Sequence, residues 1–426
     1  TNYEWSIPKS LEWYMSHPVR GVTEQEYEAS YGTDRFAVSA YTTNGWSRVA
    51  GYYSSGSDYD FNSLTALEGY VVYTAEDLPL KYSGGMNNAV DYTRDFGKAQ
   101  WYLVANPYPS YIDVMDNGFD IGNFRKTVYI RNSDFQVSSY NMLNGVGVNQ
   151  GSRYVSPGQS MWLRTYKDIS NISIAKSVRT HASEGYGLKS GASPQNDKLR
   201  LMLESEHGTD ESVVIFNQNG SETYTAYDSE KLMNGGNIAN LYSVKSAKNV
   251  AVNSLPELSN GTVVPLAYKV AAKGMGDMTI RATNLNHFMP DAEVYLHDKV
   301  ADVTIDLRET PSYTFTPTVA SATDRFELKF ELASISTDVD ELKVSAPKGK
   351  VLIYSVKQRA CVKVDEEMLR SSNKTIRVYN VAGQLMATHE LNSMITEFDL
   401  PQRDAAFIIR VNIDGIVHKG IVIGMD

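Results

Sequence analysis

Phe407-Ile408-Ile409-Arg410-Val411, then Asp414-Gly415, then the run from Ile416 to Ile423 are the stretches near the end of the chain that decide how the rest is read. Two β-rich runs flanking Asp-Gly predict a hairpin, because a type I′ turn needs positive φ at both central residues and this dipeptide accepts it. The same region holds about seven strand-like runs in all, among them Val351-Leu352-Ile353-Tyr354 and Thr375-Ile376-Arg377-Val378-Tyr379. Residues 342–426 are therefore expected to form a small Ig-like, seven-stranded sandwich.

Moving towards the N-terminus, alternation stops between Ala333 and Leu342, where the residues are small, polar and acidic, as in a linker. Upstream, Lys198-Leu199-Arg200-Leu201-Met202-Leu203 and Arg325-Phe326-Glu327-Leu328-Lys329-Phe330 alternate polar with apolar, the period of a strand with one buried face. Residues 197–333 read as a second, jelly-roll-like sandwich. Gly185, Gly187, Gly191 and Pro194 lie among small polar residues between 182 and 197, which places a boundary near residue 186. Residues 1–185 carry aromatic and β-branched runs such as Gly69-Tyr70-Val71-Val72-Tyr73, Trp101-Tyr102-Leu103-Val104 and Thr127-Val128-Tyr129-Ile130. Asn106-Pro107-Tyr108-Pro109 must turn the chain after that second run, since neither proline can donate to a ladder. Helical period is confined to Thr23 to Ser30, Glu230 to Met233 and Asp365 to Ser371. The expected fold is all-β, three consecutive β-sandwich domains spanning 1–185, 197–333 and 342–426.

Composition bounds the function. At 426 residues, 42% hydrophobic and 21% charged, the chain is long enough for several domains with cores of their own. A formal charge of −10, without runs of Lys or Arg, argues against nucleic acid or anionic membranes as main partners. The single cysteine, Cys361, rules out an intramolecular disulfide framework and is expected as core filler. No run of about 18 apolar residues is present, and the chain begins at Thr1, which reads as a mature product or a fragment.

Motifs for catalysis are missing: there is no Gly-x-Ser-x-Gly elbow, phosphate loop, dinucleotide glycine pattern or His-Glu-x-x-His. The expectation is a non-enzymatic protein without a cofactor; a carboxylate pair for glycan hydrolysis is the enzymatic alternative, because such partners meet in space rather than in sequence. Calcium is the one ion with candidate ligands. Asp58, Asp60 and Asn62 alternate as in an oxygen-ligand loop, and Asp113, Asp116 and Asp120 cluster similarly, although Asx residues also start turns. Twenty-eight tyrosines and five tryptophans either fill cores or form a sugar-stacking face.

Ile376-Arg377-Val378-Tyr379-Asn380-Val381-Ala382-Gly383-Gln384, Phe407 to Val411 and the hairpin from Asp414-Gly415 to Lys419 together resemble the C-terminal sorting domain of type IX secretion substrates of the Bacteroidetes. The residues that carry the resemblance are Val378, Tyr379, Asn380, Gly383, Gln384, Phe407, Arg410, Asp414, Gly415 and Lys419. One departure is Ala406-Phe407 where the family has Gly-Tyr, which keeps the aromatic and loses the glycine. The two upstream regions resemble modules often placed before such domains, through Leu103-Val104-Ala105-Asn106-Pro107 and Val264-Pro265-Leu266 among others. The resemblance implies export through the periplasm to the cell surface or the medium, and reading of the last domain by the outer-membrane translocon and its shuttle protein. It further implies cleavage by a sortase-like peptidase in the linker holding Ser334, Ser336, Thr337 and Asp338, and an adhesin-type role towards a surface glycan or protein. A stalk for a larger N-terminal passenger is the structural alternative.

Overall fold

A computed structural model of the chain describes residues 2–7, 12–17, 19–20, 36–42, 45–51, 66–88, 90–181, 197–271, 276–289, 292–332, 351–381, 383–403, 405–414 and 416–424. The protein is all-β. Helix among the described residues is limited to one turn at Glu366–Leu369 and short 3₁₀ turns at Lys176–Val178 and Leu285–His287. Two compact units divide the chain, Thr1–Ala333 and Ser334–Asp426.

In the first unit, the earlier strand series builds a five-stranded sheet in the order Trp101–Ala105, Ser160–Arg164, Thr127–Arg131, Val137–Asn141, Val146–Val148. Smaller sheets pack with it over a core that includes Val104, Tyr108, Ile112, Phe124, Met161 and Ile172. The Asn106 to Pro109 segment turns the chain as its prolines require. Buried Asn106 holds the turn, its Nδ2 donating to the Ser110 and Ser156 carbonyls at 2.9 and 3.0 Å and its Oδ1 accepting the Tyr108 N–H at 3.0 Å. Tyr108, fully buried, donates its hydroxyl to Ile174 O at 2.9 Å.

The later series forms one 11-stranded hydrogen-bonded sheet. Lys198–Ser205 follows its sequence pattern, with Leu199, Leu201 and Leu203 wholly buried and alternate residues half-exposed. Inward residues from strands across the sheet, from Leu296 to Ile280, share a single core, so the sheet folds over on itself in the manner of a sandwich. The stretch Glu230 to Met233 is not helical. Ser229–Glu230 is a strand paired with Lys248–Leu255, because the Ser229 hydroxyl is 3.1 Å from that of Thr127 and the Glu230 carbonyl accepts the Tyr129 hydroxyl at 2.8 Å. Four residues of helical period are too weak to resist such tertiary pairing.

The two series, expected as separate modules, share an interface within this unit. Val146 and Val148 pack with Val213, Ile215, Ala251 and Val252. Around them the polar groups are matched: Asn149 N–H donates to Glu211 and Asn149 Nδ2 to Asp210, both at 2.8 Å, and the Asn234 side chain accepts the Val137 N–H at 2.6 Å. Asp210 is fully buried, pairs with Lys231 at 2.5 Å and accepts the Leu241 N–H at 2.7 Å. Two further buried pairs, Asp228–Lys245 at 2.8 Å and Asp298–Arg325 at 2.7 Å, lie within the later series. Each carboxylate also takes backbone N–H groups, as Asp228 does from Thr225 and Ser254. Such pairs tolerate burial only when so satisfied.

The second unit is a seven-stranded sandwich. Leu352–Val356, Arg359–Lys363 and Ile395–Asp399 make one sheet; Leu385–Glu390, Lys374–Asn380, Ala405–Ile413 and Ile416–Gly424 make the other, in those spatial orders. Ala360, Val362 and Phe398 face Ile376, Val378, Phe407, Ile409, Val411 and Val422 in its core. At its edge Gly420 admits the other sheet: a Cβ there would lie 2.7 Å from Ile353 Cβ. Asp365 caps the short Glu366–Leu369 turn by accepting the Met368 N–H at 2.8 Å, so the helical expectation at 365–371 is met by a single turn. Cys361 is buried, 3% exposed, as core filler should be. As a neighbour of Ala360 and Val362 on one strand it faces the other side, with Sγ 3.4 Å from Glu397 Oε1, and burial pushes its thiol up.

Candidate functional site

The sequence motif of the last unit sorts into two sets once the pleat is fixed. Val378 and Phe407 point inward, and Phe407 is only 1% exposed, so the aromatic retained at Ala406-Phe407 is a core side chain. Period two then sends Arg377 and Tyr379 outward on one strand, Ile408 and Arg410 on the next, and Lys419 and Ile421 on the last. Register brings these into rows. Arg377 stands opposite Arg410, and Arg410 opposite Lys419, a ladder of three cations across three strands. One step along, Leu385, Tyr379, Ile408 and Ile421 stand in line, and Ile423 faces Ala406 beyond them.

This outer face is exposed: Leu385 by 54%, Ile421 by 74% and Ile423 by 50%. Arg410 lies 5.0 Å from the Tyr379 ring centroid, which steadies one cation of the three. None of the three cations pairs with a carboxylate among the described residues, whereas Arg359 and Arg370 of the same unit do. Like charges directly opposite one another destabilise a sheet, so the ladder is carried against the interest of folding.

The remaining motif residues shape the turns. Asn380 closes its loop from both sides, Oδ1 accepting the Gln384 N–H and Nδ2 donating to Gln384 Oε1, each at 2.9 Å. Gly383 between them takes φ +83°, the left-handed region that glycine enters without steric cost. Asp414 has φ +47°, as the hairpin reading requires, and its Oδ1 accepts the Asn373 N–H at 3.0 Å. Gly415 lies outside the described residues. Beside this hairpin a shallow cleft is lined by Asp365, Glu367, Asp414 and His418 among others. Its Asp365 and Asp414 carboxylates are engaged in the cap and the turn just described.

Ser334, Ser336, Thr337 and Asp338 lie outside the described residues, as do Asp58, Asp60 and Asn62 and the stretch from Thr23 to Ser30. Asp113, Asp116 and Asp120 each start a turn, accepting the N–H two residues on, from Met115, Gly118 and Gly122 at 2.8–2.9 Å. Asp113 is also claimed by Arg153, which it meets at 2.6 Å. No group of three or more His, Cys, Asp or Glu side chains among the described residues is arranged to hold a metal ion. Sequence reasoning singled out Arg410 and Lys419 but missed Arg377. Its signal was its place two residues before Tyr379, on the same face.

No curated protein matches the chain. Among solved structures, Tp47, the 47-kilodalton lipoprotein of Treponema pallidum, aligns over 99% of this chain and 90% of its own at 8% identity, with a TM-score of 0.15, too low to support a common fold. A family model described as a domain of unknown function, DUF8693, matches residues 75–330 in one span that runs through the later part of the earlier strand series and nearly all of the later one. That span is more than half of the chain, and the chain therefore belongs to the DUF8693 family.

Proposed function

We propose that the protein is a cell-surface or secreted interaction protein exported by type IX secretion, with residues 342–426 as its address. In this reading the outer-membrane translocon and its shuttle read the last sandwich, and a sortase-like peptidase cuts the linker at Ser334 to Glu341. The first unit is the delivered part.

The outer sheet face of the terminal unit carries the proposal. A surface with three cations unpaired among the described residues, beside an exposed apolar row, is costly to keep unless something reads it, and here it sits on a unit compact in itself. The motif supports the reading by dividing its labour: Phe407, Asn380 and Gly383 hold the sheet and turns, while Arg410 and Lys419 are displayed.

The test replaces the displayed set alone. Combined Arg377→Gln, Arg410→Gln and Lys419→Gln substitution should leave the unit folded and cut the amount of protein reaching the surface or medium by roughly tenfold, as for loss of one to two charge-assisted contacts. Unchanged export of the folded triple variant would sink the assignment of this face.

A further inference from the structure

We propose that a stack of alternating cations and tyrosines on the first unit, Lys167, Tyr166, Arg125, Tyr224 and Lys248, binds an acidic polysaccharide. Arg125 Cζ lies 5.1 Å from the Tyr166 centroid and 5.4 Å from that of Tyr224. Lys248 Nζ caps Tyr224 at 5.1 Å and Lys167 Nζ meets Tyr166 at 5.8 Å. Both strand series contribute, Arg125, Tyr166 and Lys167 from the earlier, Tyr224 and Lys248 from the later, all inside the family-matched span.

The backbone holds these side chains in place. Arg125 N–H donates to Arg164 O at 2.8 Å, Tyr166 N–H to Asn123 O at 3.2 Å, and Tyr224 N–H to the Ser246 hydroxyl at 3.1 Å. None of the three cations is paired with a carboxylate among the described residues. The acidic groups nearest Tyr224 are already taken, Glu230 by Arg164 and Asp228 by Lys245. Three uncompensated positive charges thus gather on a protein of formal charge −10.

A guanidinium lying over two rings keeps its edge, with the N–H fork that matches a carboxylate or sulfate, for a ligand. Tyrosine rings offer apolar faces for the C–H side of a sugar, and Tyr166 is 46% exposed. Burial raises the Tyr224 hydroxyl to about 12, so it stays a hydrogen-bond donor throughout the physiological range. Together these fit a sugar ring bearing an anionic group. The site stands independently of the export reading, since it lies on the delivered part and is tested on purified protein.

The experiment is affinity electrophoresis of the full chain through gels containing a polyuronate, a sulfated dextran or neutral dextran, with a poly-glutamate peptide and a single-stranded oligonucleotide as soluble competitors. The expected result is retardation by the polyuronate and not by neutral dextran. Arg125→Gln should weaken it by roughly ten- to a hundredfold, Arg125→Lys by less because charge survives and the fork does not, and exposed Lys167→Gln by a few-fold. Equal, Arg125-dependent retardation by sulfated dextran supports the site and identifies any sugar-borne oxyanion as ligand. Retardation by neither acidic gel, binding unaltered in both Arg125→Gln and Lys167→Gln, or complete competition by poly-glutamate or the oligonucleotide would overturn the proposal. The Lys167 variant, on an exposed side chain, keeps the test open if Arg125→Gln fails to fold.

Discussion

The buried carboxylates of the first unit and the outer sheet face of the terminal sandwich hold charge in opposite ways. In the first, Asp210, Asp228 and Asp298 are wholly buried and each is matched by a cation and by hydrogen bonds from its surroundings. In the second, Arg377, Arg410 and Lys419 stand side by side on an outer face, matched by no carboxylate among the described residues. The buried pairs of the first unit are satisfied within the fold, whereas the outer ladder of the second meets no carboxylate among the described residues. The contrast separates charges that hold this molecule together from charges that its own fold leaves unmatched among the described residues.

Breaking a buried pair should have the largest effect. Asp210→Ala would leave Lys231 buried without a counter-ion, with an expected loss of about 3–5 kcal/mol of stability in chemical denaturation. A loss below about 1 kcal/mol would mean that neither this pair nor the Asn149 hydrogen bond that ties Asp210 to the earlier series carries much of the unit's stability.

Acid is the next probe. Burial lowers His17 from 6.5 to about 3, so the folded unit keeps this ring neutral where the unfolded chain binds a proton. Its contribution is complete above pH 6.5 and falls as pH drops from there towards 3, by about 1.4 kcal/mol per unit, roughly 2 kcal/mol by pH 5. Denaturation midpoints of wild type and His17→Gln between pH 7 and 5 check this. The variant should show the shallower slope, whatever its absolute stability.

Closer to the outer face, Gly420→Ala would press a methyl into Ile353 and is expected to cost about 1–3 kcal/mol, seen as a lower melting temperature. The smallest effect belongs to the ladder itself. Arg377→Gln should change stability by no more than about 0.5 kcal/mol, in either direction and less so at high salt, because the residue is exposed and faces like charge. A drop of several kcal/mol would make Arg377 a structural residue and remove the contrast drawn here.

Much of this was legible in the sequence, and for a local reason. Lys198 to Leu203 alternates, and its leucines are buried; Asp414-Gly415 forecasts a hairpin, and Ile413 pairs with Ile416 across it. What stayed hidden depends on register or on distant partners. The opposition of Arg377, Arg410 and Lys419 exists only once three strands are aligned, and the Arg125 stack joins side chains as far apart in sequence as 125 and 248. Glu230 to Met233 carries helical period, yet Glu230 ends a strand whose pairing partners lie elsewhere in the chain. Cys361, expected as core filler, is 3% exposed, and only the side of the strand it packs on depends on the pleat.

If the terminal unit is an address, its removal should hold the protein back from the surface. Full-length protein and a version ending at residue 341 would be expressed in a host with type IX secretion, and each compartment examined by mass spectrometry. The account predicts full-length protein at the surface or in the medium, shortened by cleavage within 334–341, and the truncated form held in the periplasm. Export of the truncated form together with an unprocessed full-length chain would contradict it.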